Sequence, residues 1–277
     1  MTTSPPLIVD RTDWVQHAAG RVDRGQWSAV IAAAGKGSRL GFDRPKILFP
    51  VAGRMILEWL LDLLLPSCQT VVLVLSPEGL PSIQPELERL APGRCRVAIQ
   101  PAPSGMGDAV DIGAGFVDTP HTAVLWGDQV ALRPASVDAV LRLHQGPLAP
   151  DVTIPTVLRP EPYIHFERDE AGRIHRLLQA REGDAMPPAG ESDTGFFCFR
   201  TTALRSLLGD LRNHPASHGG ARGSATGEFN LLPVIPHAVR SGYRVLTPRV
   251  MDLEETVGIN SPSDARRVEP FLRSRHA

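Results

Sequence analysis

The stretch Ala29-Val30-Ile31-Ala32-Ala33-Ala34-Gly35-Lys36-Gly37-Ser38-Arg39-Leu40-Gly41 decides the fold. Six apolar residues without polar alternation read as a strand buried on both faces, as a parallel sheet requires. The run ends in glycine, and the loop that follows holds more glycines and two cations. Small residues after a strand let backbone amides approach an anion closely, and Lys36 and Arg39 add positive charge to the same loop. A polyphosphate is the natural guest. The spacing GxxxxGK[ST] of a P-loop is absent, and the dinucleotide fingerprint GxGxxG fails because Leu40 stands where its last glycine belongs. The bland reading of the glycines alone is a plain strand-to-helix turn.

Outward from this stretch the pattern alternates. Residues 55–65 read as an apolar helix stopped by Pro66, 70–75 as a strand, 82–90 as a helix and 96–99 as a strand. A helix is expected over 107–117, a strand over 122–126 ending at Gly127-Asp128, and a helix over 136–144. Strands alternating with helices predict an α/β fold: a Rossmann-like three-layer sandwich, with a mostly parallel mixed sheet and helices on both faces. Such sheets bind ligands beyond the C-terminal ends of their strands, where both the glycine loop and Asp128 fall. The second half is less regular. Strands are expected at 152–157, 194–199 and 243–246, with a hairpin turn at 169–174. Helices are expected at 202–211, 230–241 and 261–272, the last capped by Ser261 with Pro262 in its first turn. Residues 213–227 read as a loop. His214 and His218 have a metal-like spacing there, but Pro215 and the nearby glycines favour the loop.

The chain has 277 residues, 42% hydrophobic and 21% charged, which excludes disorder, coiled coil and collagen. A net charge of -1 argues against a general grip on nucleic acid or a membrane surface. Three cysteines, Cys68, Cys95 and Cys198, show no CxxC spacing, which fits a reducing compartment. No apolar run is long enough to span a bilayer, and the N-terminus has no signal-peptide pattern. A cytoplasmic protein is expected. Residues 1–27 read as a leader, with Trp14 and Trp27 as anchors, and residues 28–277 as one domain.

Pro45-Lys46 sharpens the functional reading, because a lysine one loop beyond a phosphate cradle can reach the same anion. Residues 33–39 together with Pro45-Lys46 resemble the signature loop of the nucleotidyltransferases that make nucleotide sugars. They are similar above all to the uridylyltransferase domain of bifunctional N-acetylglucosamine-1-phosphate uridylyltransferases. The resemblance continues in order. Gln100 followed by Gly105-Met106-Gly107-Asp108-Ala109 resembles the base-recognition segment, and Trp126-Gly127-Asp128 the metal-holding strand end. Asp193-Thr194-Gly195 stands where the family has Asn-Thr-Gly. Gly227-Glu228-Phe229 resembles the Gly-Glu-Tyr segment, and residues 255–260 the closing motif that ends in the metal-site asparagine. No hexapeptide repeat follows, so an acetyltransferase part is not expected, and the sequence fixes no oligomeric state.

The resemblance implies that the phosphate of an acceptor attacks the α-phosphorus of an NTP and pyrophosphate leaves. Such catalysis is positioning plus electrostatic stabilisation. The implied catalytic residues are Arg39, Lys46 and Asp128. Ala33, Ala34, Gly35, Lys36, Gly37, Gln100, Gly105 and Met106 would bind the nucleotide. Lys36 and Arg39 would meet the β- and γ-phosphates and Lys46 the reacting ones. Asp128 and Asn260 would hold Mg²⁺, which takes oxygen ligands and keeps waters. The resemblance implies UTP first and CTP second, while Gln100, which would read a pyrimidine edge, could serve uracil or cytosine by flipping its amide and so leaves the base open. Each residue has a bland rival: Asp128 as a cap, Asn260 as the start of a helix, Lys46 as a solvated lysine, Gln100 as a polar residue after a strand.

Substrate contacts on the acceptor side are expected from Tyr163, Gln179, Asp193 and Glu228. Here the sequence departs from the family pattern. Pro162-Tyr163-Ile164-His165 replaces Gly-Tyr-Gly-Arg, Gln179 replaces a glutamate, Asp193 an asparagine, and residues 230–233 a Tyr-Ile-Thr-Asp run. Arg181 and Glu182 either line the acceptor pocket or sit on a solvent-facing hairpin. A site that loses hydrogen-bond partners rejects the ligand that needed them. The expected acceptor is therefore a phosphorylated small molecule, a sugar 1-phosphate other than N-acetylglucosamine 1-phosphate. The alternatives are a cytidylyltransferase acting on a non-sugar phosphate or phosphonate, and a non-catalytic nucleotide sensor of the same fold.

Overall fold

The apolar run 29–34 gives the expected strand two residues earlier than read, at Trp27–Ala32, with all six of its residues buried and Ala33 and Ala34 already outside it. The structure, a computed structural model, describes residues 7–9, 18, 20–35, 37–213, 221–250 and 252–275. Its strands are β1 (Leu7–Val9), β2 (Trp27–Ala32), β3 (Pro50–Val51), β4 (Arg54–Met55), β5 (Thr70–Leu75), β6 (Cys95–Ile99) and β7 (His121–Trp126). There follow β8 (Val152–Thr153), β9 (Thr156–Pro160), β10 (Ile164–Arg168), β11 (Ile174–Gln179), β12 (Ala189–Asp193), β13 (Phe196–Arg200) and β14 (Val245–Pro248). The helices are α1 (Ile56–Leu64), α2 (Leu80–Leu90), α3 (Met106–Ala114), α4 (Pro134–Gln145), α5 (Thr201–Asn213), α6 (Val234–Arg240) and α7 (Pro262–Ser274).

Eight strands form the central sheet in the order β1-β14-β8-β13-β7-β2-β5-β6. β13 runs antiparallel to both its neighbours, and the other pairs are parallel. In register, Ala29 lies between Val71 of β5 and Ala123 of β7. Side chains alternate between faces at a period of two, and both faces are buried. Ala29, Ile31, Val71, Leu73, Ala123 and Leu125 point to one core, under α1, α2, α4 and α7. Val30, Val72, Val74, Val124, Phe197 and Phe199 point to the other, under α3, α5 and α6. Each fully buried aliphatic side chain contributes about 1.5–3 kcal/mol. The result is the three-layer α/β sandwich expected. Among the described residues, no helix is long and apolar enough to cross a membrane.

Several local expectations are corrected. The strand expected over 152–157 is two strands: β8 lies in the central sheet, while β9 pairs with β12. Pro155 between them has no N–H to give a ladder. The 169–174 turn is part of a longer hairpin, β10 against β11, with Gly172 at φ 76°. The helix expected from residue 230 begins at Val234 behind Pro233, and that expected to reach 117 stops at Ala114. Leu7–Val9, within the expected leader, pairs in parallel with β14 at the sheet edge. Trp27 is buried, and its indole N–H donates to Gln145 Oε1 at 3.0 Å. Trp14, His214 and His218 lie outside the described residues.

Candidate active site

The chain moves from β2 to β5 and β6 on one side, then returns to β7 on the other side of β2. Chain paths therefore diverge at the C-terminal ends of β2 and β7, where open α/β sheets hold their ligands. The two ends are drawn close together. The Gly127 N–H donates to the Ala32 carbonyl at 3.2 Å, and a Cβ on Gly127 would lie only 2.6 Å from that oxygen. The Ala33 N–H donates to Val74 O at 2.9 Å, so the loop leaves the sheet only after this residue. A cavity of about 100 Å³ opens here, lined by Ala33, Gly35, Lys46, Met106, Gly127 and Asp128 among others. Gly37 closes the loop against Lys46: a Cβ there would lie 2.7 Å from the lysine's own Cβ. Arg39 is exposed on the short 3-10 turn Ser38–Leu40. Lys36 lies outside the described residues.

Lys46 begins a 3-10 turn whose next residues, Ile47 and Leu48, are buried and anchor it. Its ammonium donates to Asp128 Oδ2 at 2.7 Å and to Asn260 Oδ1 at 2.9 Å. Asp128 follows β7. Its carbonyl accepts from the Ile259 N–H at 3.0 Å, and the neighbouring Gln129 amide donates to Glu255 O at 2.6 Å. Glu255 is buried and takes the Arg133 N–H at 3.0 Å, which ties residues 255–260 to the end of β7. Asn260 precedes Ser261, the N-cap of α7, and its backbone N–H donates to Asp264 Oδ2 at 2.9 Å. Asn260 thus serves the start of the helix with its backbone and faces Lys46 with its side chain.

One carboxylate oxygen and one amide oxygen converge on a single cation, here the lysine ammonium. Among the described residues no three His, Cys, Asp or Glu side chains gather as a metal cage. Two converging protein oxygens nonetheless fit a hard cation such as Mg²⁺, which takes one or two protein ligands and completes its shell with water and phosphate.

Gln100 is buried at the end of β6. Its amide nitrogen donates to Gly105 O at 2.9 Å and to Ser104 Oγ at 3.2 Å. The expected amide flip is therefore blocked, since it would set oxygen against the Gly105 carbonyl. Gln100 is not among the residues that line the cavity of about 100 Å³. Gly105 has φ 115° and backs directly onto Phe229, whose N–H donates to Ser104 O at 2.7 Å and whose carbonyl accepts from Gly107 at 2.8 Å. The 227–229 segment thus acts through its backbone as a clasp on the glycine turn that starts α3.

A second cavity of about 430 Å³ adjoins the first, and Met106 and Asp128 line both. Tyr163, Gln179 and Asp193 line it, as do Arg181 and Glu182, so these last two face the pocket. Asp193 Oδ1 accepts the Gly195 N–H at 2.8 Å. Burial pushes its carboxyl up to about 6; the nearby Asp128 charge adds to this and Arg159 opposes it. Glu228 does not line the cavity: it forms a two-pronged pair with Arg181 at 2.6 and 2.9 Å. Sequence reasoning missed Arg159, Asp264 and Arg267 on the cavity wall. The only hint of Arg159 was an arginine in a short apolar run between Pro155 and Pro160.

Similarity to known proteins follows the same lines. The bifunctional protein GlmU of Cupriavidus necator is 32% identical over 252 residues, covering 90% of this chain and 52% of the relative. That of Cupriavidus metallidurans is 33% identical over 246 residues, covering 87% and 50%. The chain thus spans about half the length of the curated relatives it matches. Among solved structures, the inositol-1-phosphate CTP transferase of T. maritima superposes with a TM-score of 0.69 at 18% identity, over 91% of this chain and 96% of that one, which shows a shared fold. Residues 29–190, more than half of the chain, match the family described as the MobA-like NTP transferase domain, and that stretch contains the glycine loop, Lys46 and Asp128. The chain belongs to this family of MobA-like NTP transferases.

Proposed function

We propose that the chain transfers a nucleoside monophosphate, from UTP in the first place, to a phosphorylated small molecule and releases pyrophosphate. An oxygen of the acceptor phosphate forms a bond to the α-phosphorus. The bond from the α-phosphorus to the bridging oxygen breaks, and its electron pair leaves with pyrophosphate. The backbone from Ala33 to Gly37 cradles the phosphates, Lys36 and Arg39 meet the β- and γ-phosphates, and Lys46 faces the reacting groups. Gln100, Gly105 and Met106 take the base side. Asp128 and Asn260 would hold Mg²⁺, which when bound supplies positive charge against the triphosphate. Tyr163, Gln179, Asp193 and Glu228 belong to the acceptor side, Glu228 through Arg181.

The convergence of Lys46, Asp128 and Asn260 where two cavities meet carries this reading. One cavity suits the nucleotide phosphates and the other an acceptor. The acceptor is a sugar 1-phosphate other than N-acetylglucosamine 1-phosphate: on the cavity wall Ile164 stands for a glycine and Leu232 for a threonine of the resembling pattern, while Gln179, Ser192 and Asn230 still offer polar groups to a different sugar. A cytidylyltransferase of a non-sugar phosphate or phosphonate is the second reading. The Gln100 oxygen, left as an acceptor, suits the cytosine amino group, and the T. maritima neighbour is a CTP transferase by name. We assign the activity to the domain expected over residues 28–277, to which Leu7–Val9 and Trp27 of the expected leader also belong as parts of its central sheet, in a cytoplasmic protein with no nucleic-acid or membrane partner. Pyrophosphate release measured for each NTP against sugar 1-phosphates, polyol phosphates and phosphonates tests the proposal. UTP with a sugar 1-phosphate other than N-acetylglucosamine 1-phosphate is expected to be fastest; CTP as the preferred donor would select the second reading. Efficient turnover of UTP with N-acetylglucosamine 1-phosphate would overturn the acceptor assignment. No release from any pair would overturn the activity.

A further inference from the structure

Seven charged side chains line the larger cavity, and six already have a bonded partner. Asp128 holds Lys46. Arg181 holds Glu228 and Arg267 holds Glu254, each through two nitrogens. Glu182 accepts from Ala225 N, Thr226 N, Thr226 Oγ1 and Asn230 Nδ2. Asp264 caps α7 by accepting from Ser261, and Asp193 accepts from Gly195 N. Arg159 differs. Its Nε is buried without a hydrogen-bond partner, and its guanidinium forms no ion pair within 4.0 Å among the described residues. The Thr194 hydroxyl, on the wall of the same cavity, is likewise buried and unpartnered.

A guanidinium cannot shed its charge, and five donors in a fixed fork match a carboxylate or phosphate. Leaving it unpaired in a partly buried site is costly unless a ligand completes it. Arg159 is not needed to hold the strand: β9 is fixed by its ladder to β12, with Arg159 opposite Gly190. The reacting phosphate already has a cation in Lys46, which lines the smaller cavity and is paired with Asp128, the residue shared by both cavities. Arg159 lies on the Asp193 side, close enough to act on that carboxyl.

We infer that Arg159 selects an acceptor carrying a second anionic group besides the phosphate that attacks, with the guanidinium binding that group inside the cavity. The inference rests on the transferase reading given above and narrows its acceptor to a phosphomonoester with an additional carboxylate or phosphate. Neutral sugar phosphates would leave the guanidinium unpaired and bind less well.

A matched series tests it: glucose 1-phosphate, glucuronic acid 1-phosphate and glucose 1,6-bisphosphate share one ring and differ in charge at carbon 6. Pyrophosphate release with the preferred NTP is measured on the full chain and on Arg159→Gln, with melting temperature as the check on folding. At least one of the two doubly anionic acceptors is expected to exceed glucose 1-phosphate in kcat/KM by about tenfold or more, the size of one charged hydrogen bond. Which of the two wins distinguishes a carboxylate from a second phosphate. Arg159→Gln is expected to remove this preference by raising KM for the doubly anionic acceptor about tenfold or more. Glucose 1-phosphate turning over as well as or better than both charged analogues, or a preference that survives in a folded Arg159→Gln, would overturn the inference. No pyrophosphate from any member would count against a glucose-type acceptor and leave the transferase reading to the wider panel, and the inference is then decided by binding. Binding of glucuronic acid 1-phosphate and glucose 1,6-bisphosphate by calorimetry, lost in Arg159→Gln, still separates the two cases.

Discussion

Lys46 and Asp128 stand 82 positions apart in the chain, yet ammonium and carboxylate meet at 2.7 Å, with Asn260 Oδ1 2.9 Å from the same ammonium. On the proposed metal assignment, the ammonium occupies the place between the Asp128 carboxylate and the Asn260 amide oxygen that the ion would take. Removing it should therefore free them. Lys46→Ala is expected to bind Mn²⁺ about three- to tenfold more tightly than the parent when no nucleotide is present, the range of a partly screened ion pair. Titration followed by Mn²⁺ paramagnetic resonance measures this. Equal or weaker affinity in the variant would mean that the ammonium does not hold the cation position.

Gly105, proposed above for the base side, packs directly against the 227–229 clasp. Its φ of 115° is open to glycine, and a Cβ would lie 2.4 Å from Phe229 O and 2.7 Å from Phe229 N. Both obstacles are backbone, so Gly105→Ala must push the clasp away. A loss of about 2 kcal/mol or more in urea unfolding is expected. Weaker pyrimidine nucleotide binding should accompany it.

The central strands were legible because strands buried on both faces have no polar alternation to confuse them, as 29–32 and 70–75 show. Asp128 could be placed because it follows a strand end and Lys46 because it stands one loop beyond the glycine loop, whereas Asn260 came only from the resemblance of residues 255–260 to the family's closing motif. Arg159 was not legible. It lies in β9, a five-residue strand of a small outer sheet with uneven burial, where nothing in the sequence says which way the side chain faces. Whether its charge is paired depends on residues far away in the chain. The blocked amide of Gln100 was hidden for the same reason: its lock is the carbonyl of Gly105, set by the turn that the clasp holds. β1 has three residues, and its pairing comes from the exposed edge of β14.

His144 and His121 pack against Trp27 beneath the other end of the sheet, with ring centres 5.2 Å apart. His144 Nδ1 meets Thr153 Oγ1 at 2.8 Å. Burial holds both rings below the usual histidine value; the nearby Arg200 adds to this, and for His144 so does His121. The unfolded chain then binds more protons than the folded one once the pH falls to about 6.5, so stability is lost on acidification. The urea midpoint is expected to drop between about pH 7.5 and 5, and to drop less in His144→Gln. An identical pH dependence in the variant would contradict this.

Asp193 works in the opposite sense. Its carboxyl is pushed up to about 6 from a usual 3.8, so the folded state prefers the protonated form. The stabilisation is present below about pH 4 and lost as the pH rises through 6, a change of roughly 3 kcal/mol at most. Asp193→Asn cannot ionise. Its melting temperature relative to the parent is expected to rise by several degrees between pH 4.5 and 8; a constant difference would argue that Asp193 does not titrate across this range.

The most direct test of the central claim is calorimetric binding of the non-cleavable α,β-methylene analogues of UTP and CTP, because it needs no acceptor. The chain is expected to bind at least one of them, more tightly with Mg²⁺ present, and folded Lys46→Ala and Asp128→Asn are expected to bind it about tenfold or more weakly. Absence of binding to either analogue, or unchanged affinity in both variants, would contradict a triphosphate site at the ends of β2 and β7.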